Sequence, residues 1–410
     1  MTPTPLPSRL LLLLAVLAAP VACADGPGRS ARDPETTSSA GGPTTAADNL
    51  DGAAFIDTVS FLAEEGDGRD NLSAGSRAVQ ERLVDELAAI AAPVPGGDGF
   101  RHPFDQGTNL IGVIGGTTTS SEVVILGAHY DHLGHDCPTD RPGDDVCDGA
   151  GDNAAGVAAV LEIGRRLAAD PPARTVVLAL WDAEEDDRLG SVAAVRSGVL
   201  DMDAVVVYLN WDMQGINLVP SLADTTFVIG AETGGAALED AVASGTAATD
   251  LQPVDLSVSF GQGRSDHASF VEAGVPSVFF TDATSACYHT SQDDMEHLDV
   301  AKLARQIDLG ESIARAVAGA GPAPGFTSDA VASFDDVEEV QALVARAQTD
   351  LDEHPAGTRA ELEQFVATLD AMIADGEAAF DGDDGRTLLA GTAALIERFT
   401  EGDCDGFLDG

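Results

Sequence analysis

Val123-Val124-Ile125-Leu126-Gly127-Ala128-His129-Tyr130-Asp131-His132-Leu133-Gly134 is the stretch that decides the reading of this chain. A β-rich apolar run narrows to two small residues and ends in an imidazole. That is the pattern of a strand buried on both faces with a polar group at its carboxyl end. The same pattern recurs downstream. Asp152 lies in the turn Gly149-Ala150-Gly151-Asp152-Asn153-Ala154-Ala155-Gly156, and Glu184-Glu185 follow Val176–Trp181. Asp212 ends Val205–Trp211, and His289 sits in Cys287-Tyr288-His289-Thr290. Two imidazoles and three carboxylates are a ligand set that zinc-like ions prefer, and one further carboxylate is left over as a base. The set points to metal-assisted hydrolysis.

Working outward, apolar runs at 110–114, 123–126, 176–180, 205–209, 227–229 and 275–280 alternate with helical stretches at about 154–168, 189–200, 234–247, 265–273 and 300–318. Buried runs joined by helical crossovers predict an α/β fold. Its mixed, mostly parallel sheet is covered by helices on both faces. Ligands in such folds bind beyond the carboxyl ends of strands, where the candidate residues fall. Two helices precede the sheet, one from Ile56 and one from about Ser76, the second stopped by Pro93 and Pro95. A Gly/Pro-rich break at Gly319–Gly325 leads into a helix-only region, 326–410, read as a small C-terminal helical appendage without visible chemistry. A Thr358-x-x-Glu361 capping box is expected to open one of its helices. Asp381-Gly382-Asp383-Asp384-Gly385 and Asp403-Cys404-Asp405-Gly406 hint at calcium loops but miss the EF-hand spacing.

The N-terminus reads as processing signal and not as fold. Arg9, the apolar Leu10–Val21 and Pro20-Val21-Ala22-Cys23 make residues 1–23 a signal peptide, too short for a permanent membrane span. Export is therefore expected. Cys23 is either a lipid-anchored cysteine or part of a discarded Ala22-Cys23-Ala24 cleavage site. Residues 24–50 are small and polar and read as a flexible tether. Cys137, Cys147, Cys287 and Cys404 remain, compatible with two disulfides in an exported protein. Cys137–Cys147 is the expected pair, clipping an acidic insert at 135–148 over the mouth of the site. Cys287–Cys404 needs the tail to pack near His289. The 410 residues carry 69 acids against 21 Lys and Arg, a formal charge of -48, with Lys302 as the single lysine. No basic stripe exists to displace counterions, so nucleic acid is excluded as a partner. The acidic surface suits solubility.

Taken together, Ala128-His129-Tyr130-Asp131-His132-Leu133-Gly134, Gly151-Asp152-Asn153, Ala183-Glu184-Glu185 with Leu189-Gly190-Ser191, Asn210-Trp211-Asp212-Met213, Gly263-Arg264-Ser265-Asp266-His267 and Tyr288-His289-Thr290 resemble the ordered motifs of the secreted di-zinc aminopeptidases. That family also includes glutamate carboxypeptidases and, more distantly, glutaminyl cyclases. The likeness covers about residues 55–319 and makes 51–320 a zinc exopeptidase domain. It implies two Zn2+ per chain and peptide substrates. Asp152 would bridge the ions, His129 and Asp212 would complete one shell, and Glu185 and His289 the other. Glu184 would be the general base, Asp131 would hold the far nitrogen of His129, Tyr288 would face the oxyanion and Arg264 would touch substrate. His132, His135 and His267 are read as loop or structural histidines. Asp186-Asp187-Arg188 departs from the small or apolar residues usual after the glutamate pair, which leaves side-chain preference open.

Overall fold

The computed structural model describes residues 53–65, 68–135, 137–139, 141, 143–327, 331–351, 356–400 and Cys404, all within one compact unit. The expected signal peptide with Cys23, the expected tether and most of the segment around Cys404 lie outside these residues. Nine strands form one sheet: β1 (Ala92–Pro93), β2 (Arg101–Phe104), β3 (Gly107–Ile114), β4 (Thr119–His129), β5 (Arg174–Trp181), β6 (Val205–Trp211), β7 (Thr225–Ile229), β8 (Gln252–Leu256) and β9 (Ser277–Thr281). Their order is β1-β3-β5-β4-β6-β9-β7-β8, with β2 paired to β3. The centre, β5-β4-β6-β9, is parallel, and β7 runs parallel to β8. The β3 and β7 joints to that centre are antiparallel. The long Val/Ile/Leu runs are the central strands, buried on both faces as their lack of alternation requires. The edge strands β1, β2 and β8 lack such runs. Pro253 is accepted in β8 because that strand is an edge, where a missing N–H costs nothing.

Helices cover both faces. On one lie α1 (Ala54–Ser60), α2 (Ala74–Ile90), α3 (Ala155–Ala169), α5 (Ala236–Thr246) and α7 (Val300–Ala318). Val160, Leu161, Ile307 and Ile313 are fully buried there in one cluster with Leu126 and Leu178. On the other lie α4 (Leu189–Ser197) and α6 (His267–Glu272), whose Phe270 is buried in one cluster with Trp181 and Tyr208. The rings of Tyr208 and Phe270 stack at 3.9 Å, and Trp181 donates its indole N–H to the Tyr208 hydroxyl at 2.9 Å.

The tail helices α8 (Phe334–Arg346), α9 (Gln348–Leu351), α10 (Ala356–Asp375) and α11 (Gly382–Phe399) do not form a separate core. Val340, Leu343, Leu369, Leu388, Leu395 and Phe399 are buried in one cluster with Phe227, Ile229, Leu256 and Phe279 of the sheet. Asp336, at the start of α8, accepts from the N–H of Ser257 just after β8 at 2.8 Å. The aspartates at 381–384 that hinted at calcium have a plainer use, and Asp403 and Asp405 lie outside the described residues. Asp381 caps α11, accepting from the N–H groups of Asp383 and Asp384, and Asp384 accepts the Asp381 N–H in return. The expected box at Thr358 is not the start of a helix, because α10 already begins at Ala356. Both disulfides are present, Cys137–Cys147 and Cys287–Cys404, with Cα separations of 5.2 and 5.1 Å, inside the range such bonds span.

A tail that shares its core with β7–β9 must unfold with the sheet. Phe399→Ala empties a fully buried ring and should cost about 3–5 kcal/mol, lowering one coincident thermal transition followed by near- and far-UV circular dichroism. A separate early transition for the tail would contradict the shared core.

Candidate metal centre

Three neighbouring parallel strands deliver the first residues. His129 is the last residue of β4, the glutamates follow Trp181 at the end of β5, and Asp212 follows Trp211 at the end of β6. His129 stands level with Trp181, and Gly127 with Asn210, so the three carboxyl ends lie side by side. Asp152 enters from the distorted turn before α3, and His289 from the loop after β9. The backbone is left-handed at Ala183 (φ 57°), Met213 (φ 63°) and His289 itself (φ 57°). Non-glycine residues hold that region at a cost and collect at functional sites.

The five candidate ligands converge. One oxygen of Asp152 lies 3.3 Å from His129 Nε2, which is also 3.3 Å from Asp212 Oδ1. The other oxygen of Asp152 lies 3.2 Å from His289 Nε2, which is 3.3 Å from Glu185 Oε2. Two three-donor sets thus share one carboxylate. Ligands about 2.0–2.1 Å from a tetrahedral zinc stand roughly 3.3 Å from one another, the edge of that tetrahedron. The donor spacings match it. His289 Nε2 is buried without a hydrogen-bond partner among the described residues, a nitrogen left for a metal. The residues therefore fit zinc.

Support comes from groups that carry no recognisable motif. Arg69 is buried, and its guanidinium donates to the carbonyls of Leu62, Tyr130, Asp148, Gly149 and Asp152. It ties the end of β4 to the Asp152 turn. Asp293 accepts from the N–H groups of Gly151 and Asp152 at 2.8 and 2.9 Å. Asp131 is placed somewhat differently from the expectation. Its carboxylate accepts from the N–H groups of Glu184 and Glu185 at 3.0 and 3.2 Å, and it stands 3.6 Å from His129 Nδ1, which lies closer to the Asp131 carbonyl at 3.2 Å. It fixes the glutamate turn as much as the imidazole. His132 is more than a loop histidine, because its Nδ1 is 2.7 Å from Glu185 Oε1 and orients that carboxylate. His135 pairs through its backbone with Val146, and His267 is buried and stacks on Phe279 at 4.5 Å, a packing role.

The site is starved of positive charge. Burial alone would lower the His289 imidazole, but Asp152 and Glu185 reverse this and carry it to about 10. Those carboxylates seek a cation, which a bound metal would supply. Burial, then repulsion from Asp266, Asp212 and Glu185, pushes Glu184 well above the usual carboxylate range despite the pull of His129. That is the direction a general base needs. Burial likewise raises Asp266 to about 7, and neither of its oxygens has a hydrogen-bond partner among the described residues.

Asp152, Glu184, Glu185 and Asp212 face a cavity of about 420 Å³, with Arg264 and Tyr288 on its wall. Residues of α11 line it too, so the tail is not remote from the chemistry. No described residue of 135–148 lines the cavity. Instead Pro138 accepts from the N–H of Ser291, Thr139 bonds the Ser291 hydroxyl and Arg141 pairs with Asp294, which braces the His289 loop from behind.

Residues 109–312 match peptidase family M28. The motifs that carry the resemblance all fall inside this match, which covers just under half of the chain. The probable glutamate carboxypeptidase of Arthroderma benhamiae is 32% identical over 164 residues, 37% of this chain and 21% of that protein. The probable lipoprotein aminopeptidase LpqL of Mycobacterium tuberculosis is 33% identical over 176 residues, 39% of this chain and 32% of that one. The chain therefore spans a third or less of either relative. Among solved structures, the LapA aminopeptidase of Legionella pneumophila shares the fold at a TM-score of 0.53 and 21% identity, over 65% of this chain and 71% of that one. Arg69 and all of α8–α11 lie outside the M28 match. No helix among the described residues is long and apolar enough to cross a membrane.

If Asp293 sets the bridging turn, Asp293→Asn turns one acceptor into a donor facing an N–H. Zinc affinity, measured by chelator competition, should fall about 10–100-fold, the usual cost of losing a group behind a ligand. Unchanged affinity would show that the turn holds itself.

Proposed function

We propose that the protein is an exported zinc-dependent exopeptidase, most simply an aminopeptidase that removes N-terminal residues, with two Zn2+ per chain. The shared carboxylate of Asp152, reaching His129 with one oxygen and His289 with the other, is the observation that carries the reading. His129, Asp152 and Asp212 would hold one ion, and Asp152, Glu185 and His289 the other. When bound, such ions polarise a scissile carbonyl and acidify water.

The chain's own groups do the rest. Glu184 lines the cavity beside the ligands, takes the proton of the attacking water and returns it to the leaving amine. Tyr288, whose burial raises its hydroxyl pKa, stays protonated and donates to the developing oxyanion. A free α-amine is a cation, and the acid-rich end of the cavity suits it. Arg264 is exposed on the cavity wall and offers the substrate its guanidinium. A carboxypeptidase needs dedicated cations for a terminal carboxylate, and among the cavity residues Arg264 is the one that could serve. A glutaminyl cyclase would keep a single zinc, which leaves one of the two donor sets unexplained. A non-catalytic binding module would have no use for Glu184 beside a full donor set. The two disulfides agree with an oxidising compartment, and lipid anchoring at Cys23 belongs to the same proposal.

Glu184→Gln should keep zinc near the wild-type content and lose at least roughly 100-fold in rate, whereas Glu185→Gln should release metal. Swapped phenotypes would exchange the two roles. Aminoacyl anilides should be cleaved and their N-acetylated forms should not. Cleavage of N-acetylated peptides from the C-terminus would establish the carboxypeptidase instead.

A further inference from the structure

Lys302 is the single lysine among 21 Lys and Arg, and in this strongly acidic chain it is not on the surface. It lies in the first turn of α7, 1% exposed, and its ammonium stands 3.2 Å from Asp282, which follows β9 and is equally buried. The pair grips the loop that leaves Asp212. Lys302 donates from Nζ to the Ile216 carbonyl, and Asp282 accepts the Ile216 N–H at 2.9 Å. Gln306, one turn further along α7, accepts the Gly215 N–H at 2.9 Å and donates to Asp282 at 2.7 Å. The N–H groups of Asp282 and Asp299 donate to the carbonyls of Met213 and Gly215, both at 2.8 Å. The backbone from Met213 to Ile216 is fixed in this way, starting at the residue next to Asp212, where φ is 63°. The far end of the loop reaches the Asp152 turn. A Cβ added at Gly151 would stand 2.7 Å from Ile216 Cδ1, so the two are packed without a gap. A buried ion pair is a poor device for stability, because desolvation of both charges offsets their attraction. An ammonium does gather three donors at one point, which the planar arginine fork cannot.

We propose that Lys302 is a positioning residue of the metal centre: with Asp282 it clamps the loop 213–216, which holds Asp212 at one end and the Asp152 turn at the other. The proposal rests on the zinc reading of the site and adds a part that touches no metal and no substrate. It also accounts for a lone lysine in a chain whose other cationic side chains of this kind are arginines.

The test measures zinc affinity by chelator competition, and kcat and KM on an aminoacyl anilide at saturating zinc, for wild type, Lys302→Met, Lys302→Arg and Ile216→Ala. Leu87→Ala, at a fully buried position of α2 that lines no part of the cavity, controls for lost stability. Lys302→Met should bind zinc about 10–100-fold more weakly, the usual cost of losing support behind a ligand. At saturating zinc its kcat should fall roughly tenfold or more with KM little changed, because displaced ligands misplace the reacting groups. Lys302→Arg keeps the charge without the point of donors and should fail to restore either value. Ile216→Ala leaves the ion pair intact and removes the contact with Gly151, so it should weaken zinc in the same direction. Leu87→Ala should lower the melting temperature and leave zinc affinity in place. If Lys302→Met does not fold, Lys302→Arg and Ile216→Ala carry the test. Zinc affinity that falls as stated in a protein that cleaves no peptide substrate would remove the exopeptidase reading and keep the clamp. Wild-type zinc affinity in a folded Lys302 variant, or losses equalled by Leu87→Ala, would overturn the clamp and leave the peptidase reading standing.

Discussion

The carboxylate of Asp152, placed between two imidazoles, is the constraint on which the remaining architecture depends. It is buried, and its two oxygens point at His129 and His289 from opposite sides. A buried carboxylate is costly unless hydrogen bonds or cations surround it. Here Arg69 lies behind it and grips the carbonyls of Gly149 and Asp152, while Asp293 takes the turn's N–H groups. The turn is thus held through its own backbone, which leaves the side-chain oxygens free for metal.

The fold supplies the other positions with little freedom. Three parallel strands end side by side and fix His129, the glutamate turn and Asp212 relative to one another. The His289 loop has no such frame and is held by cross-links. Cys287–Cys404 ties it to the tail, the Cys137–Cys147 insert braces it through Ser291, and Arg141 pairs with Asp294. Asp293 links the same loop to the Asp152 turn, so the two elements that no strand positions are coupled to each other.

Much of this is legible in the sequence, for a physical reason. Strands buried on both faces read as uninterrupted apolar runs, so the central sheet and the residues at its carboxyl ends can be located together. The edge strands escape such a reading because Gln252-Pro253-Val254-Asp255-Leu256 alternates and contains a proline, and because β1 and β2 are two and four residues long. Arg69 and Asp293 escape it because they act on backbone groups, which leave no pattern in sequence. The role of His132 stays hidden because one imidazole beside a ligand motif does not reveal which carboxylate it orients. The tail reads as inert because an apolar stripe in a helix looks the same whether it meets core or cavity. Only the structure separates Phe399, which fills the core, from Ile396, which borders the site. The aspartates at 381–384 mislead in the opposite direction, since a helix N-terminus attracts the same residues as calcium.

An acidic protein with an acid-rich centre concentrates its need for positive charge at one place. The raised imidazole of His289 expresses that need, and the paired donor sets show how two dications would meet it. The central claim is that Asp152 joins two zinc ions. The most direct measurement is an anomalous-scattering map of the zinc-loaded protein at the zinc edge. The account predicts two peaks roughly 3.5–4 Å apart with the Asp152 carboxylate between them. A single peak in the fully loaded protein, or a second peak away from Glu185 and His289, would contradict it.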